Sequence, residues 1–269
     1  MNAVAASKLL RRHLPLRLDV THRGCAYDAA FATELFDFSC ALAVDERSVF
    51  QRHLDTCTEA HTLRCAETGR LRGFQQWRLE RNDRYVMHHS GKLRMEPAIR
   101  RRGLHLLLNL VALDGAQLQS AASAADALPV YRMGLVNLFG FQALRPALAS
   151  AVVPPLQAGG GPAAEVFERE MASFCRDNGF AMDPATYRVD ITQTQPHVPS
   201  EFSEAYWSRP EVVEYREAGM PRNAPLSKQQ ALDREHLAWL CWEWDEDNVS
   251  SFTAQMLAKL TRDADDAGG

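Results

Sequence analysis

The sequence predicts an α/β protein with a mostly antiparallel sheet flanked by helices. Three observations predict it. Leu14–Val20 (LPLRLDV) carries leucine or valine at every second position, the period of a half-buried strand. Thr62–Met95 is a run of extended segments broken by turn residues, which reads as an antiparallel meander. Lys92–Leu110 (KLRMEPAIRRRGLHLLLNL) reads as strand, basic turn and helix.

The elements follow in order. After the first strand, Asp28–Leu42 places Phe31, Leu35, Phe38 and Leu42 at helical spacing, and Ser48–Thr56 is a second helical stretch. His61–Ala66 and Leu71–Leu79 are strands around the turn cluster Glu67-Thr68-Gly69-Arg70. Tyr85–His89 and Leu93–Met95 continue the extended run until Pro97 stops it. The next helix is expected to reach about Leu113 and stop at Gly115. A strand is expected over Gln117–Ala121. Asp126 is expected to cap a helix over Leu128–Phe139, with Pro129 in its first turn. Gln157–Pro162 (QAGGGP) is a linker by composition. Pro162 and Gly179 frame a helix whose apolar stripe is Phe167, Met171 and Phe174. Tyr187–Ile191 reads as a strand and Thr192–Pro225 as loop-rich, with five prolines. Ser227-x-x-Gln230 is a capping box opening a helix to about Trp244. Asp245-Glu246-Asp247 then reads as a solvated helix end, and Val249–Leu260 as a last helix.

The basic turn carries the chemistry. Arg100, Arg101 and Arg102 stand at a helix start, the wrong end of the macrodipole for cations. A bound anion compensates that placement. Free N–H groups at a helix N-terminus suit phosphate, and Gly103 admits a close approach to the backbone.

Arg100-x-x-Gly103-x-His105, approached through Met95-Glu96-Pro97-Ala98-Ile99, resembles the pyrophosphate-binding turn of the GNAT superfamily of acyl-CoA-dependent N-acyltransferases. His105 stands where that family has a small residue. Leu138-Phe139-Gly140-Phe141 is similar to the end of the family's fourth helix, and Val136 occupies the position of its tyrosine, with Tyr131 nearby.

The resemblance implies a GNAT-like, mixed, mostly antiparallel sheet flanked by helices over residues 1–156. It leaves residues 162–261 as a mainly helical α+β extension packed on that domain, and 262–269 as a disordered tail. It implies acyl-CoA, most simply acetyl-CoA, as co-substrate, held by Met95, Arg100, Arg101, Arg102, Gly103, Leu104 and His105. It implies direct transfer to a small-molecule or peptide amine. Glu96 and His89 are the candidate bases, and Tyr131 the candidate acid for the leaving thiolate. No metal is required.

Composition bounds the alternatives. The 269 residues are 46% hydrophobic and carry a net charge of −4. Arg64–Arg102 holds eleven Arg/Lys against four Asp/Glu, and Glu165 onward ten against twenty. That unevenness allows one polyanion site without a global pull toward nucleic acid. Six cysteines lack C-x-x-C spacing, so they read as reduced thiols of a cytoplasmic protein. The adjacent His88 and His89 do not make a metal pair on a strand. No apolar run reaches membrane-spanning length. Two other readings stand beside the enzyme: a GNAT-like module that binds CoA without turnover, and, ranked lowest, nucleic-acid binding through residues 64–102.

Overall fold

The computed structural model describes residues 1–22, 28–43, 47–121, 128–150, 161–183, 188–190, 202–217, 228 and 236–261. The chain forms two compact units. One comprises Met1–Leu42, Cys57–Tyr131 and Trp244–Gly269, the other Ala43–Thr56 and Arg132–Glu243.

The first unit is built on four antiparallel strands: β1 (Leu16–His22), β2 (Glu59–Cys65), β3 (Leu71–Arg81) and β4 (Val86–Met95). Residues 86–95, read as parts of two short extended pieces, form one strand. The ladder shows why. Opposite Gln76, β4 carries two residues, Gly91 and Lys92, where β3 carries one. This bulge interrupts the alternation that marks a single strand in sequence. Gly91 is required there, because a Cβ would stand 3.0 Å from the Gln76 carbonyl.

Helices cover this sheet. α1 (Ala3–His13) is capped by Asn2 and buries Ala6 and Leu10. Its Ser7 hydroxyl bonds both the carbonyl and the N–H of Leu18, tying it to β1. α2 (Ala29–Leu42) meets the sheet through Phe38 on Phe74 and through Ser39, which accepts from Arg94. After a 3₁₀ turn at Pro97–Ile99, α4 (Leu104–Ala121) follows. Its Leu104, Leu106, Leu107, Leu108, Leu110 and Val111 are all buried. An all-round apolar start needs partners on every side, and β3, β4, α1 and the last helix, α9 (Glu246–Leu260), supply them.

The second unit contains α3 (Arg47–Thr56), β5 from Arg132 onward (whole strand Val130–Val136), α5 (Leu138–Leu144), α6 (Gly161–Asn178), α7 (Glu204–Trp207), α8 (Pro210–Glu217) and three antiparallel strands, β6 (Ala181–Met182), β7 (Val189–Asp190) and β8 (His236–Glu243). Gly179, at φ 68°, ends α6, and Asn178 accepts from the Arg52 guanidinium through its carbonyl and from Thr56 through its amide oxygen. Phe141 on Tyr215 and Arg145 with Glu214 join α5 to α8.

The α/β class and the mostly antiparallel sheet stand as expected. Four expectations are corrected. α4 runs through Gly115, and Gln117–Ala121 is its last turn, not a strand. Leu113, Ala116, Leu118 and Gln119 outweigh the roughly 1 kcal/mol that one glycine costs. Val130–Val136 is a strand, not a helix. Pro129 serves as its lead-in, its carbonyl accepting from Val86. Gly140 therefore lies near the start of a helix, where its N–H is capped by Asn137. His236–Glu243 is also a strand. Leu240 and Trp242 are buried on one side, Trp239 and Cys241 on the other. A strand buried on both faces loses its alternation. Finally, Asp245 is a helix N-cap, accepting from Asn248 at 2.8 Å. Asp126, residues 157–160, Tyr187, Ile191, Ser227, Gln230 and residues 262–269 lie outside the described residues, and Gly161 and Pro162 of the expected linker open α6.

Candidate functional site

The site is built at the junction of β4 and α4. Glu96 donates its N–H to the Arg72 carbonyl, so the preceding Met95 N–H points away from β3. Two residues then hold left-handed backbone: Arg101 at φ 63° and Gly103 at φ 71°. For arginine this costs about 1–2 kcal/mol. The first helical bonds run from Leu106 and Leu107 to the Gly103 carbonyl, at 3.0 and 3.1 Å. The N–H groups of Arg101, Arg102, Gly103 and Leu104 precede them and have no acceptor among the described residues. Successive unbonded N–H groups at a helix start form a cradle for an anion.

The three arginines differ. Arg100 donates through Nε to the Met95 carbonyl at 2.9 Å. Arg102 donates to the Leu260 carbonyl of α9 at 3.3 Å. Arg101 is exposed and has no partner among the described residues. Gly103 is not open on its α-carbon side. Met256 and Lys259 of α9 fill the space a side chain would take. His105 is half-buried, and its carbonyl accepts from Asn109 at 2.8 Å.

Glu96 stands at the end of β4, largely buried between two guanidinium groups. Arg70 reaches it at 2.6 Å and Arg72 grips its second oxygen. His89 is buried further down β4, in register with Arg78. Tyr131, at the start of β5, packs its ring edge-on against Tyr85. The structure thus brings Met95, Glu96 and Arg100–His105 together and sets His89 apart from them along the strand. The aromatic residues of the C-terminal segment pack in local groups. Trp239 packs on Phe174, Trp244 on Phe252, and Tyr206 with Trp207 on Phe202.

Sequence reasoning missed a second cluster. Glu59 on β2 pairs with His61 at 3.2 Å and with His88 of β4 at 3.3 Å, through the same carboxylate oxygen. All three are buried, and Trp77 packs against both imidazoles. Burial pushes the Glu59 pKa up, but hydrogen bonds from both histidines outweigh it and hold the carboxyl well below its ordinary range. The signal available in sequence was period 2: Glu59 and His61 share one strand face.

Seven of the arginines of residues 64–102 are engaged within the protein. Arg64 pairs with Glu34, Arg70 and Arg72 with Glu96, and Arg78 with Glu80. Arg94, Arg100 and Arg102 bond to Ser39, Met95 and Leu260. No described helix is long and apolar enough to cross a membrane.

No family model matches the sequence. No curated protein matches it either. Among solved structures, similarity is found to a Bacillus subtilis acetyltransferase in complex with CoA, at 11% identity over 86% of this chain and 99% of that one, TM-score 0.35. It is found also to a tandem GNAT protein of the clavulanic acid biosynthesis pathway, at 15% identity over 91% and 67%, TM-score 0.32. A third is the GCN5-related glucosamine N-acetyltransferase region of a fungal multidomain GH3 β-N-acetylglucosaminidase, at 16% identity and TM-score 0.32. It is matched over 63% of this chain, which spans only 17% of that protein's length. The likeness is to GNAT acetyltransferases, at a level that leaves fold and function to be argued from this chain's own residues.

Proposed function

We propose that the chain is an acyl-CoA-dependent N-acyltransferase working by direct transfer. The observation that carries this reading is the turn of Arg100–Leu104. The strained left-handed Arg101 and the four N–H groups of Arg101–Leu104, unbonded among the described residues, stand where an anion would be held. The CoA pyrophosphate rests on the N–H groups of Arg101–Leu104, with His105 beside it. Acetyl-CoA, the smallest acyl donor, is the proposed co-substrate. The Met95 N–H, directed away from β3, donates to the thioester carbonyl and stabilises charge developing there. A small-molecule or peptide amine attacks. Its proton passes through water to Glu96, whose orientation Arg70 and Arg72 fix, and Tyr131 returns a proton to the CoA thiolate. His89 is the reserve base.

A second reading is CoA binding without turnover. The ion pairs of Glu96 favour it, because both carboxylate oxygens already serve arginines. One experiment separates the two: calorimetric titration with CoA beside acetyl-transfer turnover on a panel of amines. Binding with turnover supports the enzyme. Binding without turnover supports the second reading, and no binding removes both.

A further inference from the structure

We infer that the arginines of the turn divide their roles: Arg101 meets the ligand, and Arg102 positions the turn by holding the C-terminus of α9. This deepens the proposed function and rests on it.

Three relations support the division. Arg102 spends a donor on the Leu260 carbonyl, one of the last carbonyls of α9, where a cation also complements the helix dipole. Its neighbour Gly103 is met from the same helix by the Met256 carbonyl and the Lys259 stem, both at 3.0 Å from an ideal Cβ. The left-handed Gly103 is therefore closed from behind by protein. Arg100 is held at the front by the Met95 carbonyl. Arg101 alone of the three is exposed without a partner among the described residues. Its left-handed backbone is kept by the brackets on either side. The last helix thus belongs to the anion site without touching the ligand.

The test uses Arg101→Ala, Arg102→Ala and Arg102→Lys in the full chain, with CoA titrated by calorimetry across a series of salt concentrations. Arg101→Ala is expected to weaken CoA binding and flatten its salt dependence, because a ligand-facing charge is lost. Arg102→Ala is expected to weaken binding about tenfold with the salt dependence unchanged, the loss of one charge-assisted hydrogen bond. Arg102→Lys, which keeps a charged donor, recovers most of it. A salt dependence flattened equally by Arg102→Ala overturns the inference. So does a lowered melting temperature with unchanged CoA affinity. A second readout needs no ligand. Amide exchange at Gly103–Leu107 and Met256–Thr261 should rise together in Arg102→Ala and stay at wild-type values in Arg101→Ala. Unchanged exchange at Gly103–Leu107 in Arg102→Ala overturns the positioning role even if CoA binds. Wild-type protein that binds no CoA at any salt concentration removes the functional reading, and the exchange result still decides the role of Arg102.

Discussion

The main-chain carbonyl of Met256 stands 3.0 Å from where a Cβ on Gly103 would lie. A backbone oxygen cannot swing aside as a flexible side chain can. Gly103 is therefore fixed twice, by its φ of 71° and by its neighbour. Gly103→Val is expected to destabilise the fold by about 2–4 kcal/mol through strain and overpacking. CoA affinity should fall with it. Urea denaturation is the check, and a midpoint equal to wild type would show that α9 yields at no cost.

CoA should raise the stability of the intact protein. At a hundredfold excess over its dissociation constant the gain is about 2.7 kcal/mol. Thermal unfolding with and without millimolar CoA measures it. An unmoved melting temperature would remove CoA as a ligand.

Glu96→Gln should separate chemistry from binding. Glutamine keeps the shape of glutamate but takes no proton, so turnover is expected to fall by about 10²–10⁴-fold. The CoA dissociation constant should stay near wild type, because Glu96 is not in the anion turn. Steady-state turnover beside calorimetry reads both, and full turnover in the variant takes Glu96 out of the mechanism.

Acid should weaken the fold through Glu59. Its folded pKa lies below the unfolded value, so its contribution is fully present above the ordinary carboxylate range. That contribution is lost as pH falls from about 4.5 toward the depressed folded value. Glu59→Gln strips His61 and His88 of their carboxylate and is expected to cost about 1–3 kcal/mol at neutral pH. The difference between variant and wild type should shrink at pH 3.5. Paired denaturation curves at the two pH values check it, and a constant difference would mean that the folded carboxyl is not held below its unfolded value.

The first half of the chain was legible because its strands are covered unequally or end at punctuation. Leu14–Val20 alternates, Gly69 turns the hairpin, and Pro97 closes β4. The Arg100–Gly103 turn was legible for the same reason: charge at the wrong end of a helix is visible in one dimension. β5 and β8 were not. β8 buries both faces over Trp239–Trp242 and β5 buries Arg132–Gly134 in a row, and a short run of that kind suits helix and strand equally. The role of α9 at Gly103 was hidden for another reason. Gly103 was read as room for a phosphate, and only the folded chain shows that Met256 and Lys259 approach its α-carbon. The Glu59 cluster needed the β2–β3–β4 register, which no local pattern encodes.

The bond from Arg102 to Leu260 spans 158 positions of sequence. During synthesis the arginine therefore waits for its acceptor. At about 5–20 residues per second, roughly 8–30 s separate the two. The sheet and the front of α4 have their strands to hand long before that. The backing of the anion turn does not, so the newborn chain passes through a period in which its scaffold stands and its ligand cradle is unfinished. On the proposed function, the CoA site is therefore the last part of the first unit to be completed.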